Sequence, residues 1–153
     1  MSAKVLLVDD NTNLLKLISI ILRQSGFEVH MAHSGKLGLS MAEKEQPDII
    51  LLDIMMPDMN GFDVCKGIRQ HPQVGATRIV LFSAMSRRQD KEKGYGVGAD
   101  DYMIKPIHPV ELVNKVREVL ARSDEELAEA RVKYKSHAAA ASGEVAIPAA
   151  PGR

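Results

Sequence analysis

The chain has 153 residues, of which 45% are hydrophobic and 26% charged, and its 20 basic side chains balance 20 acidic ones. This length suits one domain with a buried core, and the charge balance lacks the basic excess that nucleic-acid binding usually needs. The single cysteine, Cys65, excludes an internal disulfide and a multi-cysteine zinc site. No apolar run approaches the ~18 residues of a membrane span, and Met1 leads almost directly into a strand-like run, without a signal peptide. We expect a cytoplasmic protein with no membrane insertion and no nucleic-acid partner.

Short apolar runs alternate with segments of helical periodicity. The run 4–8 holds four consecutive apolar residues, which is typical of a parallel strand covered on both faces. The next segment carries an apolar stripe, with Asn11 or Thr12 as a possible helix cap and Gly26 as a possible terminating residue. The predicted strands are 4–8, 27–32, 48–52, 78–82 and 101–104. The predicted helices are 11–25, 35–46, 62–71, 87–97 and 109–122.

This alternation repeats five times and predicts an α/β fold over residues 1–122. Strands that alternate with helices form a parallel sheet with helices on both faces and right-handed connections. Five units suit an open doubly wound (βα)5 sheet and are too few for an eight-stranded barrel.

The fourth predicted helix is ambiguous at its end. Gly94 and Gly96, if helical, each cost about 1 kcal/mol relative to alanine. A weak helix would suit an element that moves, because moving elements come from the less stable parts of a fold. The alternative is that the helix ends early, near Lys93.

Residues 123–153 differ from the rest of the chain. Ser123 and Glu126 form a capping-box pattern, so a further helix is possible over 123–136. It could dock on the fifth predicted helix, mediate self-association or do neither. Residues 137–153 are rich in Ala, Gly and Pro, and we expect a disordered tail there.

Polar side chains follow four of the five strands. Asp9 and Asp10 follow the first strand, Asp53 the third, Ser83 the fourth and Lys105 the fifth. In open α/β sheets, ligands bind outside the carboxyl ends of the strands. Three neighbouring carboxylates repel one another unless a cation intervenes, and oxygen ligands without His or Cys favour Mg²⁺ over zinc.

The same edge is suited to phosphoryl chemistry. A Mg²⁺ site of two or three carboxylates that keeps waters is a typical place to bind a phosphoryl group. Lys105 can supply a positive charge for phosphoryl oxygens, and Ser83 a hydrogen-bond donor. Asp53 is our choice of nucleophile, to become an aspartyl phosphate, because it ends the predicted central strand.

These motifs, taken together and in this order, resemble the receiver domain of two-component response regulators, a CheY-like domain, over about residues 3–122. The motifs are Val8-Asp9-Asp10, Leu52-Asp53-Ile54-Met55-Met56-Pro57, Asn60-Gly61, Phe82-Ser83-Ala84, Gly98-Ala99-Asp100-Asp101-Tyr102 and Lys105-Pro106. The resemblance implies a flavodoxin-like sheet in the strand order 2-1-3-4-5.

The resemblance also implies roles for the acidic residues. Asp53 resembles the phosphoacceptor, which a histidine kinase or a phosphotransferase would load. Asp10 and Asp53 resemble direct Mg²⁺ ligands, together with the backbone carbonyl of Met55, whereas Asp9 resembles a ligand that acts through water.

Three further residues resemble the moving parts of a receiver. Ser83 corresponds to the switch hydroxyl, Lys105 to the residue that clamps the phosphoryl group, and Tyr102 to the aromatic side chain whose rotamer reports the switch. Without the resemblance, Tyr102 would be taken for a packing residue. The family also places a cis peptide before the proline that matches Pro106.

The expected function is a signalling receiver and not an enzyme. Phosphorylation would change the surface of helix four, strand five and helix five, and a downstream protein target would bind it. The 31 residues after Arg122 are too few for an output domain, so we expect a stand-alone regulator, either a monomer or a phosphorylation-dependent dimer.

Two alternatives stay open: a phosphorylation-independent interaction module, and a receiver fragment of a longer multidomain regulator. A phosphohydrolase is disfavoured, because Met55 occupies the position where such enzymes typically carry a second aspartate. Met55 and Met85 also provide no polar group to orient water, so we expect slow self-dephosphorylation.

Overall fold

The computed structural model describes residues 2–142 of the chain, and within them it contains five strands and six helices. The strands are β1 (Lys4–Val8), β2 (Glu28–Ala32), β3 (Ile49–Asp53), β4 (Arg78–Ser83) and β5 (Asp101–Ile104). The helices are α1 (Thr12–Gln24), α2 (Gly35–Glu45), α3 (Gly61–Gln70), α4 (Arg88–Gly96), α5 (Pro109–Ala121) and α6 (Asp124–Ser142). None of the helices in this part of the chain has the length and apolar character needed to cross a membrane.

The strands form one parallel sheet in the order β2-β1-β3-β4-β5, which confirms the predicted topology. Alternate residues of each strand enter two separate core layers, since successive side chains point to opposite faces. In β1, Val5 and Leu7 pack with α1 and α5, whereas Leu6 and Val8 join the layer that contains α3 residues. The central strand β3 is buried along its whole length, and Asp53 is its last residue.

Local signals set the helix ends close to their predicted positions. The side chain of Asn11 accepts a hydrogen bond from the backbone N–H of Leu14 at the start of α1, and Gly26 follows that helix with a φ of +96°. The helix α4 continues to Gly96, so the alternative of an end near Lys93 is wrong.

Close packing explains the glycine inside α4. Gly94 is buried, and a Cβ at this position would lie 2.8 Å from Leu81 Cδ1 and 3.3 Å from Tyr102 Cδ2. The absence of a side chain therefore lets α4 lie directly on the ring of Tyr102.

The capping box at Ser123 starts α6 as predicted. The backbone N–H of Glu126 donates to Ser123 Oγ at 3.1 Å, and the backbone N–H of Ser123 donates to Glu126 Oε1 at 3.2 Å. The helix extends to Ser142, beyond the predicted end at 136. The run of four alanines at 138–141 favours this extension, because alanine has the highest helix propensity. The rest of the predicted tail, 143–153, lies outside the described residues.

The helix α6 packs chiefly against α4, and not against α5 as one sequence-based alternative had it. Leu127 is buried, and the ring of Tyr134 stacks on that of Tyr95 with 4.7 Å between centroids.

The replacement Gly61→Ala is expected to lower the free energy of unfolding by about 1–3 kcal/mol, the usual cost of overpacking. A Cβ at Gly61 would lie 2.6 Å from Ile54 Cα and would also overlap the Asp53 carbonyl oxygen, and backbone atoms cannot move aside cheaply. Urea denaturation measures the effect. The control Gly67→Ala, elsewhere in α3, meets only the flexible tip of Leu39, and equal stability of the two variants would contradict the expectation.

Candidate functional site

The ends of β1 and β3 bring three carboxylates together. Val8 pairs with Leu52 in neighbouring strands, so the residues that follow, Asp9 and Asp53, lie side by side. One carboxylate oxygen from each of Asp9, Asp10 and Asp53 lies within 4.8 Å of the others. Asp9 and Asp53 are buried, whereas Asp10 is exposed, which leaves the cluster open to solvent on one side.

Lys105 reaches this cluster from the loop after β5. Its Nζ lies 3.0 Å from Asp9 Oδ2 and 3.3 Å from Asp53 Oδ1. The backbone N–H of Lys105 donates to the Ser83 carbonyl oxygen at 2.9 Å, which extends the pairing of β4 and β5. The peptide bond between Lys105 and Pro106 is cis, as the resemblance implied.

Burial and crowding disfavour the ionised form of Asp53. Burial is the largest cause that raises the pKa of Asp53, to about 6, and the neighbouring Asp9 adds to it. Lys105 opposes the shift through its charge and its hydrogen bond. Asp9 is fixed from its other side, since its Oδ1 accepts the backbone N–H of Asn11 at 2.9 Å. The one lysine therefore only partly offsets the negative charge.

Ser83 and Tyr102 are connected through the backbone of Met85. Ser83 Oγ accepts the N–H of Met85 at 3.2 Å, and Tyr102 Oη donates to the Met85 carbonyl at 2.7 Å. Both Ser83 and Tyr102 are buried, and burial is the main cause that raises the pKa of Tyr102. The predicted switch residues are thus joined in one network.

The donor set fits a hard divalent cation. The clustered groups offer carboxylate oxygens without a His or Cys ligand, which is the ligand type that Mg²⁺ prefers. Two of the three carboxylates are buried with Lys105 as their cationic partner, so an additional cation would relieve their repulsion. The Met55 side chain is 65% exposed, on the loop that follows Asp53.

Sequence reasoning missed Asp58, which shapes the loop after Asp53. Its carboxylate accepts the backbone N–H groups of Gly35 and Lys36, each at 3.0 Å, at the start of α2. These hydrogen bonds hold the pKa of Asp58 below its ordinary value. Both hydrogen bonds span more than twenty residues of sequence, so no local pattern could have predicted them.

The family model described as the response regulator receiver domain matches residues 5–117. The chain belongs to the response regulator receiver domain family. The sheet order, the acidic cluster and the lysine after β5 lie within a domain of the type that two-component systems use. Receiver domains are signalling modules, distinct from conventional enzymes.

Known relatives of this receiver include full-length regulators. The DNA-binding response regulator MtrA of Mycobacterium tuberculosis is 40% identical over 129 residues, which are 84% of this chain and 55% of MtrA. The DNA-binding dual master transcriptional regulator RpaA of Synechocystis is 36% identical over 121 residues, 79% of this chain and 50% of RpaA. The chain thus spans about half the length of the curated relatives it matches.

A solved structure of the chemotaxis response regulator CheY4 of Vibrio cholerae is also similar to this receiver. It has a TM-score of 0.75 and 34% identity, and the match covers 78% of this chain and 99% of that chain. The likeness supports the flavodoxin-like fold over the receiver part.

The replacement Asp53→Asn is expected to raise the free energy of unfolding at pH 7, without divalent metal, by about 3 kcal/mol. The folded pKa of Asp53, about 6, lies above the unfolded value of about 3.9. The folded carboxyl therefore holds its proton between these values while the unfolded one loses it, and wild-type stability falls as pH rises through this window. Asparagine stays neutral and avoids this loss.

Chemical denaturation of both proteins at pH 4, 5, 6 and 7 measures the difference. The stability gap should shrink as pH falls towards 4. A wild type that is more stable than Asp53→Asn at pH 7, or a gap that is independent of pH, would contradict the expectation.

Proposed function

We propose that this receiver accepts a phosphoryl group on Asp53 from a histidine kinase or a phosphotransferase, with Mg²⁺ as cofactor. The observation that carries the proposal is the position of Asp53. It ends the central strand beside Asp9 and Asp10, within hydrogen-bond reach of Lys105. The family membership supports the same chemistry.

The transfer is a nucleophilic displacement at phosphorus. At pH 7 the Asp53 carboxyl, with its pKa of about 6, is mostly ionised and able to attack. A carboxylate oxygen forms a bond to phosphorus while the bond between phosphorus and the donor histidine nitrogen breaks, and the imidazole leaves with the electron pair. Lys105 Nζ lies 3.3 Å from Asp53 Oδ1, so it can turn to a phosphoryl oxygen with little movement.

In this proposal the metal ligands are Asp10, Asp53 and the backbone carbonyl of Met55, with Asp9 acting through water. When bound, Mg²⁺ would neutralise charge on the carboxylates and on the phosphoryl oxygens. Asp9 suits an indirect role, because Lys105 and the N–H of Asn11 already occupy its two oxygens.

Ser83 and Tyr102 would transmit the change. If the Ser83 hydroxyl turns to donate to the phosphoryl group, the N–H of Met85 loses the acceptor it has at 3.2 Å. The Met85 carbonyl also holds the Tyr102 hydroxyl, so its movement would reach β5 and α4. The output is a changed surface around α4, β5 and α5 for a downstream protein target.

The chain's balance of 20 basic and 20 acidic residues supports a protein partner over nucleic acid. The DNA-binding regulators among its relatives are matched over about half of their length, and their names describe those proteins. Whether the phosphorylated chain stays monomeric or dimerises is decided by light scattering with and without phosphodonor.

Incubation with acetyl phosphate and Mg²⁺ should add one phosphoryl group, seen by intact-mass spectrometry. The adduct should be absent from Asp53→Asn and from the wild type with chelator. The control Asp63→Asn removes an exposed acid in the first turn of α3 and should be phosphorylated normally. An adduct of equal size on Asp53→Asn would refute the assignment of the phosphoacceptor.

The replacement Met55→Asn should shorten the lifetime of the phosphorylated form several-fold. The exposed Met55 side chain offers water no polar partner, whereas an amide could orient an attacking water molecule. Decay of the adduct after removal of acetyl phosphate measures the rate. Val132→Asn, at a similarly exposed position on α6, is the matched control, and equal decay of the two variants would count against this role for Met55.

A further inference from the structure

The helix α6 is anchored to the fold by a buried two-point ion pair. Arg131 Nε lies 2.7 Å from Asp100 Oδ1, and Arg131 Nη2 lies 2.9 Å from Asp100 Oδ2. The Asp100 side chain is 2% exposed. Arg69 donates to Asp100 Oδ2 as well, at 2.8 Å, and so does the backbone N–H of Ile79, at 2.9 Å. A planar guanidinium fits a carboxylate in this way, and such pairs are strong and specific.

A second, apolar contact attaches α6 to the last turn of α4. The rings of Tyr134 and Tyr95 stack at 4.7 Å, and Leu127 is 3% exposed. Burial raises the pKa of Tyr95 to about 12, which agrees with a covered ring. Arg131 and Tyr134 together hold α6 at two places along its length.

A different side of α4 packs against the switch network, which consists of Ser83, Met85 and Tyr102. Gly94, next to Tyr95 in the chain, leaves room for the ring of Tyr102. Tyr102 is connected through the Met85 backbone to Ser83. A movement of Tyr102 therefore changes the position of α4. The same helix carries Tyr95, which stacks on Tyr134 of α6.

We propose that α6 is a releasable intrachain brace on α4, and that phosphorylation of Asp53 weakens its docking. The inference rests on the proposed function of Asp53 and adds its regulation. The linkage is reciprocal, because two sites that bias one element must affect each other equally. Loosening α6 should therefore favour phosphorylation.

The direction follows from the hydrogen bonds of Met85. A Ser83 hydroxyl that turns towards a phosphoryl group no longer accepts the hydrogen bond from the N–H of Met85. The Met85 segment can then move, and the hydrogen bond from the Tyr102 hydroxyl to the Met85 carbonyl is disturbed. The position of Tyr95 on α4 then changes relative to Tyr134. Because the two rings stack when α4 is in its present position, a shift of α4 weakens that contact.

The single cysteine provides a native probe of the region where α4 packs against the rest of the fold. Cys65 is buried in α3, and its Sγ lies 3.6 Å from the carbonyl oxygen of Val97, the residue that directly follows α4. Burial raises the pKa of the Cys65 thiol to about 12, so N-ethylmaleimide reacts only when this region opens. The rate of labelling therefore measures how often α4, with α6 packed on it, moves away from Cys65.

The experiment follows phosphoryl and maleimide adducts together by intact mass, with and without acetyl phosphate and Mg²⁺. In the wild type, phosphorylation should speed Cys65 labelling by about five-fold or more, the low end of usual allosteric coupling. Asp53→Asn should show no acceleration. Tyr134→Ala should label quickly without phosphodonor and should accumulate the phosphoryl adduct faster than the wild type.

Val132→Ala, on the exposed side of α6, is the matched control and should behave as the wild type. Arg131→Lys keeps the positive charge but cannot make both hydrogen bonds to Asp100. If circular dichroism shows that Tyr134→Ala does not fold, Arg131→Lys replaces it, with the same expected results. A phosphoryl adduct with unchanged or slower Cys65 labelling would overturn the brace and leave the phosphoacceptor role standing. The absence of any adduct would overturn both.

Discussion

Asp9 and Asp53 are two nearly buried carboxylates that lie side by side and share Lys105 as a cationic partner. Burial and mutual repulsion both disfavour ionisation, and they raise the pKa of Asp53 to about 6. A third carboxylate, Asp10, reaches the same place from the solvent side. The excess of negative charge fits a divalent cation at this edge of the sheet, and Asp53 is the nucleophile that we propose beside it.

The fold imposes this arrangement through strand order. Because β1 and β3 are neighbours in a parallel sheet, their last residues meet at one edge, and the loop after β5 brings Lys105 to the same edge. The close approach of Gly61 to the backbone of Asp53 and Ile54 fixes the loop that follows Asp53. The repulsive site is thus held together by a sheet whose central strand is buried throughout.

Much of this could be predicted from sequence because the signals are local or periodic. Apolar runs marked the strands, and polar residues directly after them marked the site, including Asp53 and Lys105. The roles of these residues came from the family resemblance and stay proposals until tested. The order of the strands also came from the resemblance, and the sheet confirms it.

What the sequence could not show depends on contacts between distant residues. The pairing of Arg131 with Asp100 spans 31 residues, and the thin apolar face of α6 gave no hint that it covers α4. The glycine at position 94 suggested a weak helix, whereas it serves close packing on Tyr102. The length of α6 was also not evident from the sequence, since the helix extends to Ser142, beyond the predicted end at 136.

We propose that the clustered carboxylates at the strand ends form the cation site on which the signalling chemistry depends. Isothermal titration calorimetry with Mg²⁺ at pH 7 tests it most directly, on the wild type, Asp10→Asn and the exposed control Asp63→Asn. We expect one ion per chain in the wild type and in Asp63→Asn, and an affinity reduced by about ten-fold or more in Asp10→Asn. Equal Mg²⁺ affinity in all three proteins, or no binding by the wild type, would contradict it.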